Sequence, residues 1–307
     1  MRFAVMGAGA LGAYFGGRLA AAGYDVTLIA RGAHLEALRR DGLRIESPRG
    51  DLHLPNIAAT DDPNSVGEVD SILFFVKNYD VRTAAEALRP MLGGDTFVAT
   101  FQNGVTAPGE VAEVIGKERV IGGVARIPAE VSAPGMIKHT DPADTLLIGE
   151  MEGPVTDRAR ALHEALVKAG TRPEISEDIE AALWQKFVLL SATSAITCLT
   201  RLNFGQIAAH PGTADLMRQA MEETAAVARA LRPDLPADMA EVQYQAYRSM
   251  DGGVRSSMYT DLAAGKRLEL DWISGEVVRR GEALGVETPL HRIVLAALSP
   301  YAQGRPA

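Results

Sequence analysis

The chain has 307 residues, of which 47% are hydrophobic and 23% charged, as in an ordinary globular protein of about two domains. A formal net charge of −8 argues against a general nucleic-acid binder, which would carry a basic surface, and we expect no such partner. The single cysteine, Cys198, excludes an internal disulfide and fits a reducing cytoplasm. The histidines show no metal-ligand spacing, and no apolar run is long enough to span a membrane. We therefore expect neither a metal site nor a membrane partner.

The first half of the chain alternates short apolar runs with amphipathic segments, a pattern typical of a doubly wound parallel sheet. The predicted strands are Arg2–Met6, Asp25–Ile29, Ser71–Val76, Thr96–Phe101 and Val120–Ala125. The predicted helices between them are Ala10–Ala22, His34–Arg40, Val81–Met91 and Ala107–Ile115. Residues 131–148 are rich in strand and turn signals and predict hairpin strands that extend the sheet, and Leu162–Ala169 predicts a closing helix.

Strand signals end near Ser176, and the rest of the chain carries helical spacing. The predicted helices are Asp178–Leu199, Gly212–Leu231, Ala237–Ser249, Ser257–Ala264, Leu270–Leu284 and Pro289–Leu298. A short polar stretch containing Pro173 predicts the boundary. The sequence thus predicts an α/β Rossmann-type domain over residues 1–175 and an all-helical domain over residues 176–307.

A glycine-rich turn lies where the first predicted strand meets the first predicted helix. It reads Gly7-Ala8-Gly9-Ala10-Leu11-Gly12 and matches the G-x-G-x-x-G pattern of dinucleotide-binding proteins. The first glycine permits the tight turn, the second lets the backbone approach a pyrophosphate, and the third allows close helix–strand packing. The alternative is a glycine-rich turn without a ligand.

The end of the second predicted strand indicates which dinucleotide binds. NAD sites place an acidic residue there for the ribose 2′-hydroxyl, whereas this strand is followed by Ala30-Arg31-Gly32. The guanidinium of Arg31 suits a 2′-phosphate, so the sequence favours NADP over NAD. A solvent-facing loop charge is the alternative role of Arg31.

Lys186 interrupts the apolar run LWQKFVLLSATSAI at residues 183–196. A buried ammonium group is costly unless it is paired, so Lys186 either extends its charged end into water or performs chemistry. The reduction of a ketone needs a proton donor beside the developing alkoxide, and a lysine can supply that proton.

Motifs spread along the chain resemble those of the ketopantoate reductase family, whose members reduce 2-dehydropantoate to pantoate with NADPH on the way to coenzyme A. They are GAGALG at residues 7–12, VKN at 76–78, QNG at 102–104, WQK at 184–186, SSM at 256–258 and LELDWISGEVVRR at 268–280. The resemblance covers nearly the whole chain and implies a Rossmann domain followed by a helical domain.

The resemblance also implies roles for individual residues. Lys186 is similar to the family's catalytic lysine, and Glu269 to the acid near that lysine and the cofactor ribose. Asn103 resembles the asparagine near nicotinamide and substrate, Lys77 the lysine near the cofactor, and Ser257 the serine that contacts substrate. The simpler alternatives are a turn residue for Asn103, an exposed helix acid for Glu269 and a helix cap for Ser257.

Two positions depart from the family pattern. The family places asparagines four and eight residues after the catalytic lysine, on one helical stripe, where this chain has Leu190 and Ser194. We expect Ser194 to line the substrate site and the apolar helix around Lys186 to form the wall of a cleft between the domains. The predicted function is NADPH-dependent reduction of a 2-oxo acid, either ketopantoate or, because of Leu190 and Ser194, a more apolar acid. A third alternative is an NADP-binding redox sensor without turnover.

The sequence leaves the oligomeric state open. Long apolar faces in the second half either pack within one chain or form a homodimer interface. Of these two alternatives we favour the homodimer.

Overall fold

The first part of the chain folds around an eight-stranded sheet with the strand order β12-β11-β8-β7-β6-β1-β2-β5. The structure is a computed structural model that describes residues 1–306. The strands are β1 (Arg2–Met6), β2 (Asp25–Ile29), β3 (Leu43–Glu46), β4 (Leu52–Leu54), β5 (Ala58–Thr60), β6 (Val69–Phe74), β7 (Leu92–Thr100), β8 (Val120–Arg126), β9 (Ala129–Ala133), β10 (Met136–His139), β11 (Thr145–Glu150) and β12 (Arg172–Ile175).

The described helices flank this sheet in the first half and form the whole of the second half. They are α1 (Ala10–Ala21), α2 (Gly32–Asp41), α3 (Val81–Glu86), α4 (Ala107–Ile115), α5 (Asp157–Lys168), α6 (Ile179–Thr200), α7 (Phe204–Ala209), α8 (Pro211–Leu231), α9 (Met239–Arg248), α10 (Ser257–Ala263), α11 (Ser274–Leu284) and α12 (Pro289–Leu298). Between Ile175 and residue 306 no strand is present, which confirms the predicted helical second half.

The order and direction of the strands are those of a Rossmann fold. Strands β5, β2, β1, β6, β7 and β8 are mutually parallel, and the chain crosses back at β1 to build the other half of the sheet. Strand β11 joins antiparallel to β8, and β12 runs parallel to β11. The inner strands are almost wholly buried, as expected for parallel strands covered on both faces.

A second sheet was missed at the sequence level. Its order is β4-β3-β10-β9, so β10 pairs with β3, β9 pairs with β10, and neither extends the main sheet as predicted. Of the predicted hairpin region only β11 extends the main sheet. The strands of this second sheet are three to five residues long, too short to leave a clear periodicity in the sequence.

Three short segments differ from the predicted secondary structure. The stretch predicted as a linker contains β12, and its Pro173 fits there because β12 is an edge strand. Helix α3 ends at Glu86, and a short 3-10 helix (Arg89–Met91) containing Pro90 completes the predicted segment. Helix α7 was not predicted, although Asn203 and Gln206 form a capping box at its start.

The chain forms two compact units. One comprises Met1–Gln102 and Thr106–Glu180, and the other comprises Asn103–Val105 and the chain from Ala181 onward. We call these the nucleotide unit and the helical unit. The division falls near the start of α6, a few residues after the predicted boundary, and places the Asn103 segment with the helical unit.

Helix α6 is long and apolar enough, by length and composition alone, to cross a membrane. In this structure 72% of its most apolar window is buried inside the protein. Its side chains Trp184, Phe187, Val188 and Ile196 belong to the core of the helical unit, together with residues of α8, α11 and α12. This burial accounts for the apolar composition of the helix.

Candidate active site

The turn between β1 and α1 requires glycine at its first position. Gly7 has φ +91°, and a β-carbon placed there would lie 2.7 Å from the main-chain nitrogen of Val76. The amide of Phe75 donates to the Met6 carbonyl at 2.8 Å, which fixes this approach. The glycine-rich turn therefore lies directly beside the segment that contains Lys77.

The other two glycines of the turn have different surroundings. A β-carbon at Gly12 would lie 2.4 Å from the Gly7 carbonyl oxygen, whereas one at Gly9 would meet no atom within 4 Å. Gly12 is therefore needed for packing, and the space over Gly9 is open at the N-terminus of α1, where main-chain amides attract phosphate. These residues fit the pyrophosphate of a dinucleotide.

Arg31 lies just after β2, immediately before α2, and its side chain is exposed. Within residues 1–306 no carboxylate pairs with it, whereas Arg39 and Arg40 on α2 each pair with an aspartate. The end of β2 therefore presents a guanidinium and no acid at the position that contacts the ribose of a bound dinucleotide.

Gln102 is a functional candidate that the sequence reasoning missed. It follows β7 and is buried, and its side-chain nitrogen donates to the carbonyls of Phe74 at 2.8 Å and Val76 at 3.2 Å. It thereby ties the end of β7 to the segment that leads into Lys77. Its side-chain oxygen is buried without a partner among the described residues, so one acceptor beside this segment is left for a ligand or water. The signal in the sequence was the QNG motif, of which only the asparagine was assigned a role.

Lys186 and Asn103 come together within the helical unit. Lys186 lies on α6 and is half-buried, and its ammonium group donates to the Asn103 side-chain oxygen at 3.3 Å. The next residue, Gly104, has φ +91° and packs close to the Trp272 carbonyl. A positive φ there favours glycine, so the Asn-Gly pair both forms the turn and supplies a side chain to the lysine.

The stripe of α6 beyond Lys186 combines an apolar and a polar position. Leu190 is half-buried, and Ser194 is fully buried with its hydroxyl oxygen lacking a partner among the described residues. One turn further, the Thr197 hydroxyl lies 2.7 Å from that of Ser256. Ser194 therefore retains hydrogen-bonding capacity that the protein does not use.

Ser256 and Ser257 lie at the start of α10 and have different surroundings. Ser256 is buried and accepts the amide of Tyr259, so it is the helix cap, whereas Ser257 is exposed on the first turn. The alternative that Ser257 caps the helix is therefore wrong, and its role as a substrate contact stays a prediction.

Glu269 is only 5% exposed and lies at the start of a 3-10 turn (Leu270–Trp272), where its carbonyl accepts the amides of Trp272 and Ile273. It is therefore not the exposed helix acid of the alternative interpretation. A buried carboxylate is costly unless it is paired or hydrogen-bonded, so Glu269 is expected to have a structural or chemical role.

Cys198 is fully buried on α6, and burial raises the pKa of its thiol to about 12. A thiolate is the reactive form of cysteine, so this residue is a small core side chain in neutral solution.

Comparison with known proteins agrees with these features. The family model described as ketopantoate reductase PanE/ApbA matches residues 3–153, and the model of its C-terminal part matches residues 178–302. A 2-dehydropantoate 2-reductase of Archaeoglobus fulgidus is 34% identical over 296 residues, which cover 96% of this chain and 95% of that protein. The uncharacterized oxidoreductase YkpB of Bacillus subtilis is 30% identical over 304 residues, covering 98% and 99%.

A solved structure extends the similarity to the fold. The crystal structure of a PanE/ApbA family ketopantoate reductase from Ralstonia eutropha JMP134 superposes with a TM-score of 0.90 at 36% identity and covers 98% of both chains. The predicted Rossmann-type sheet followed by a helical domain is confirmed. The chain belongs to the ketopantoate reductase PanE/ApbA family and is a nicotinamide-dependent oxidoreductase.

Proposed function

We propose that this protein reduces a 2-oxo acid to the 2-hydroxy acid with NADPH and that 2-dehydropantoate is its first candidate substrate. The observation that carries the proposal is the contact of the Asn103 side chain with the ammonium group of Lys186, which lies beside apolar residues on α6. The name 2-dehydropantoate 2-reductase, borne by relatives such as the one from Archaeoglobus fulgidus, supports the choice of substrate.

The bound dinucleotide would supply the hydride that reduces the carbonyl carbon. Lys186 would then stabilise the negative charge that develops on the carbonyl oxygen and donate a proton to it. An ammonium group has three N–H donors, and Asn103 accepts one of them, which restricts the rotation of the group. Apolar residues that flank Lys186 on α6 would lower the local dielectric and strengthen its interaction with a developing charge.

The nucleotide unit would hold the cofactor through the main-chain amides from Gly7 to Gly12, with Arg31 on the 2′-phosphate and Lys77 near the turn. This part of the proposal is supported by the open space over Gly9 and by the exposed, unpaired guanidinium of Arg31. Asn103 and Glu269 are proposed to contact the nicotinamide and its ribose.

Leu190 favours a second candidate, in which the substrate is a 2-oxo acid with a more apolar side chain. A site that bonds a substrate hydroxyl rejects analogues without it, and Leu190 offers no such bond. Ser194, which has a free hydroxyl in the buried stripe, would supply one polar contact and not two.

Initial rates of NADPH oxidation at neutral pH, measured with 2-dehydropantoate and with branched, aromatic and linear 2-oxo acids, test the proposal. Turnover of 2-dehydropantoate above that of the apolar acids would support the first candidate. If Leu190 sets the preference, the Leu190→Asn variant should raise kcat/KM for 2-dehydropantoate about tenfold relative to the apolar acids. Leu189→Asn, at the neighbouring half-buried position off the stripe, is the control. Absence of turnover with every 2-oxo acid would contradict the proposal.

A further inference from the structure

A cavity lies in the helical unit and is lined by none of the residues that were assigned a role above. Its volume is about 190 Å³. It is enclosed by the residue after α6, by α10 with the loop that follows it, and by the C-terminal segment. The lining residues that matter here are Arg201, Tyr259, Leu262, Lys266, Tyr301 and Arg305.

The charge of this cavity is opposite to that of the whole protein. Three of its ten lining residues are cationic, namely Arg201, Lys266 and Arg305, and none is acidic, although the chain carries a formal charge of −8. Within residues 1–306 none of these three cations forms an ion pair. Like charges that line one cavity without an acidic residue repel each other, and an anion bound there would reduce that repulsion.

Arg201 occupies a backbone conformation that an arginine rarely adopts. Its φ is +65°, which makes it the one described non-glycine residue with positive φ. This position after α6 is where glycine normally ends a helix, and a side chain there costs about 1 kcal/mol. The guanidinium donates to the Cys198 carbonyl and also lines the cavity, so the side chain supports both the helix end and the cavity wall.

The C-terminal segment is held in place around the cavity. The amide of Leu268 donates to the Ala302 carbonyl at 3.0 Å, and that of Gly304 donates to the Tyr301 carbonyl at 2.9 Å. Gly265, with φ +66°, has no side chain, and a β-carbon there would lie 2.5 Å from the Arg305 side chain. The absence of a β-carbon thus lets Arg305 lie against this loop.

Two tyrosine rings complete the walls. The Arg201 guanidinium lies 5.9 Å from the centre of the Tyr301 ring, and Arg255 lies 5.1 Å from that of Tyr259. Together with Leu262 these rings offer an apolar surface beside the cationic groups. The volume is below the roughly 300 Å³ at which pockets for drug-sized ligands begin, so a whole dinucleotide would not fit.

We propose that this cavity binds a compact organic phosphate, with the phosphate between Arg201, Lys266 and Arg305 and a small ring or aliphatic body against Tyr259 and Tyr301. A guanidinium group can donate two parallel hydrogen bonds to two oxygens of one phosphate. Two arginines and a lysine therefore suit a phosphate dianion. The cavity shares no residue with the turn that would hold the pyrophosphate of the cofactor.

Calorimetric titration of the full-length protein with phenyl phosphate tests this proposal, with NADPH saturating in one series and absent in another. Lys266→Gln/Arg305→Gln removes two exposed cations of the cavity, and Arg248→Gln/Arg292→Gln removes two exposed cations elsewhere in the helical unit. We expect phenyl phosphate to bind in the presence of NADPH and the cavity variant to bind it about tenfold more weakly, with the control variant unchanged. Phenol, which lacks the phosphate, should not compete, whereas inorganic phosphate should compete weakly.

The titration also separates this cavity from the predicted substrate site. Binding in Lys186→Ala should match that of the unmodified protein. Equal weakening in the cavity and control variants, loss of binding in Lys186→Ala, or no binding in the presence of NADPH would each overturn the proposal. Thermal unfolding of each variant verifies that the chain is folded.

Discussion

Arg31 is exposed at the end of β2, where its guanidinium would favour NADPH over NADH. A charged hydrogen bond contributes about 1.5–3 kcal/mol, so Arg31→Ala should raise the KM for NADPH about tenfold or more and leave the KM for NADH nearly unchanged. Arg40→Ala, in which the lost cation pairs with its neighbour Asp41, is the matched control. Equal changes in both KM values would show that Arg31 does not contact a 2′-phosphate.

His291 is a buried titratable residue that no proposed chemistry uses. Its ring nitrogens lie 3.1 Å from the Ala220 carbonyl and 3.3 Å from the Ser274 hydroxyl, and burial lowers its pKa to about 4. The ring is therefore neutral in the folded protein at pH 5 to 6, where an unfolded histidine takes up a proton. Its amide also donates to Glu223, whose carboxyl pKa is raised by burial.

The depressed pKa of His291 predicts loss of stability in acid. Because the unfolded chain binds the extra proton, the free energy of unfolding should fall as the pH drops from about 6.5 to about 4, by up to about 3 kcal/mol. The raised pKa of Glu223 has the opposite effect on the pH dependence, so the unmodified protein should be compared with His291→Gln, which retains Glu223. Urea unfolding of both proteins between pH 7 and pH 4.5 measures the difference in their free energies of unfolding. A difference between the two proteins that does not change with pH would contradict this assignment.

Single residues show what a sequence can and cannot reveal about the site. Lys186 was visible because it interrupts an apolar run, and its role followed from the family motif. Its contact with Asn103 joins residues 83 positions apart, and no local pattern predicts it. Gln102 was missed for the same reason, since its bonds go to main-chain carbonyls of another strand segment.

In the β1–α1 turn, Gly12 is needed for packing and Gly9 leaves space for a ligand. Gly9→Ala should leave thermal stability close to that of the unmodified protein, because the new methyl group meets nothing, but should raise the KM for NADPH about tenfold or more by occupying the pyrophosphate space. Gly12→Ala should instead lower the free energy of unfolding by about 2 kcal/mol or more, because its methyl group would contact the Gly7 carbonyl. Calorimetry and steady-state kinetics of both variants measure these effects. Similar losses of stability in the two variants would contradict this division.

At the scale of elements, segments with a clear apolar run or stripe were predicted, whereas short segments without one, such as β4 and β5, were missed. Strands β1 and β2 and helices α4 and α12 have the predicted bounds, because their apolar runs or stripes are unbroken. Strand β12 was interpreted as a linker because its four residues are mostly polar and include a proline. Proline is compatible with an edge strand, but the sequence does not show that this segment pairs with β11.

At the scale of the molecule, the two units carry different parts of the proposed chemistry. The nucleotide unit presents the glycine-rich turn and Arg31, and the helical unit presents the paired Lys186 and Asn103. The cleft between the domains, a homodimer and a cytoplasmic location stay predictions. A non-catalytic redox sensor would not need a proton donor such as Lys186, whose ammonium group donates to the Asn103 side chain.

Product analysis with Lys186→Ala tests the central claim most directly. A 2-oxo acid that the protein turns over is incubated with NADPH, and the 2-hydroxy acid formed is quantified by chromatography against the NADPH consumed. We predict one hydroxy acid per NADPH in the unmodified protein and a kcat at least about a hundredfold lower in Lys186→Ala, with the affinity for NADPH retained. Lys138→Ala, an exposed lysine on β10, should behave as the unmodified protein. Undiminished product formation in Lys186→Ala would show that the proton comes from another group, and NADPH oxidation without hydroxy acid would contradict the proposed reaction.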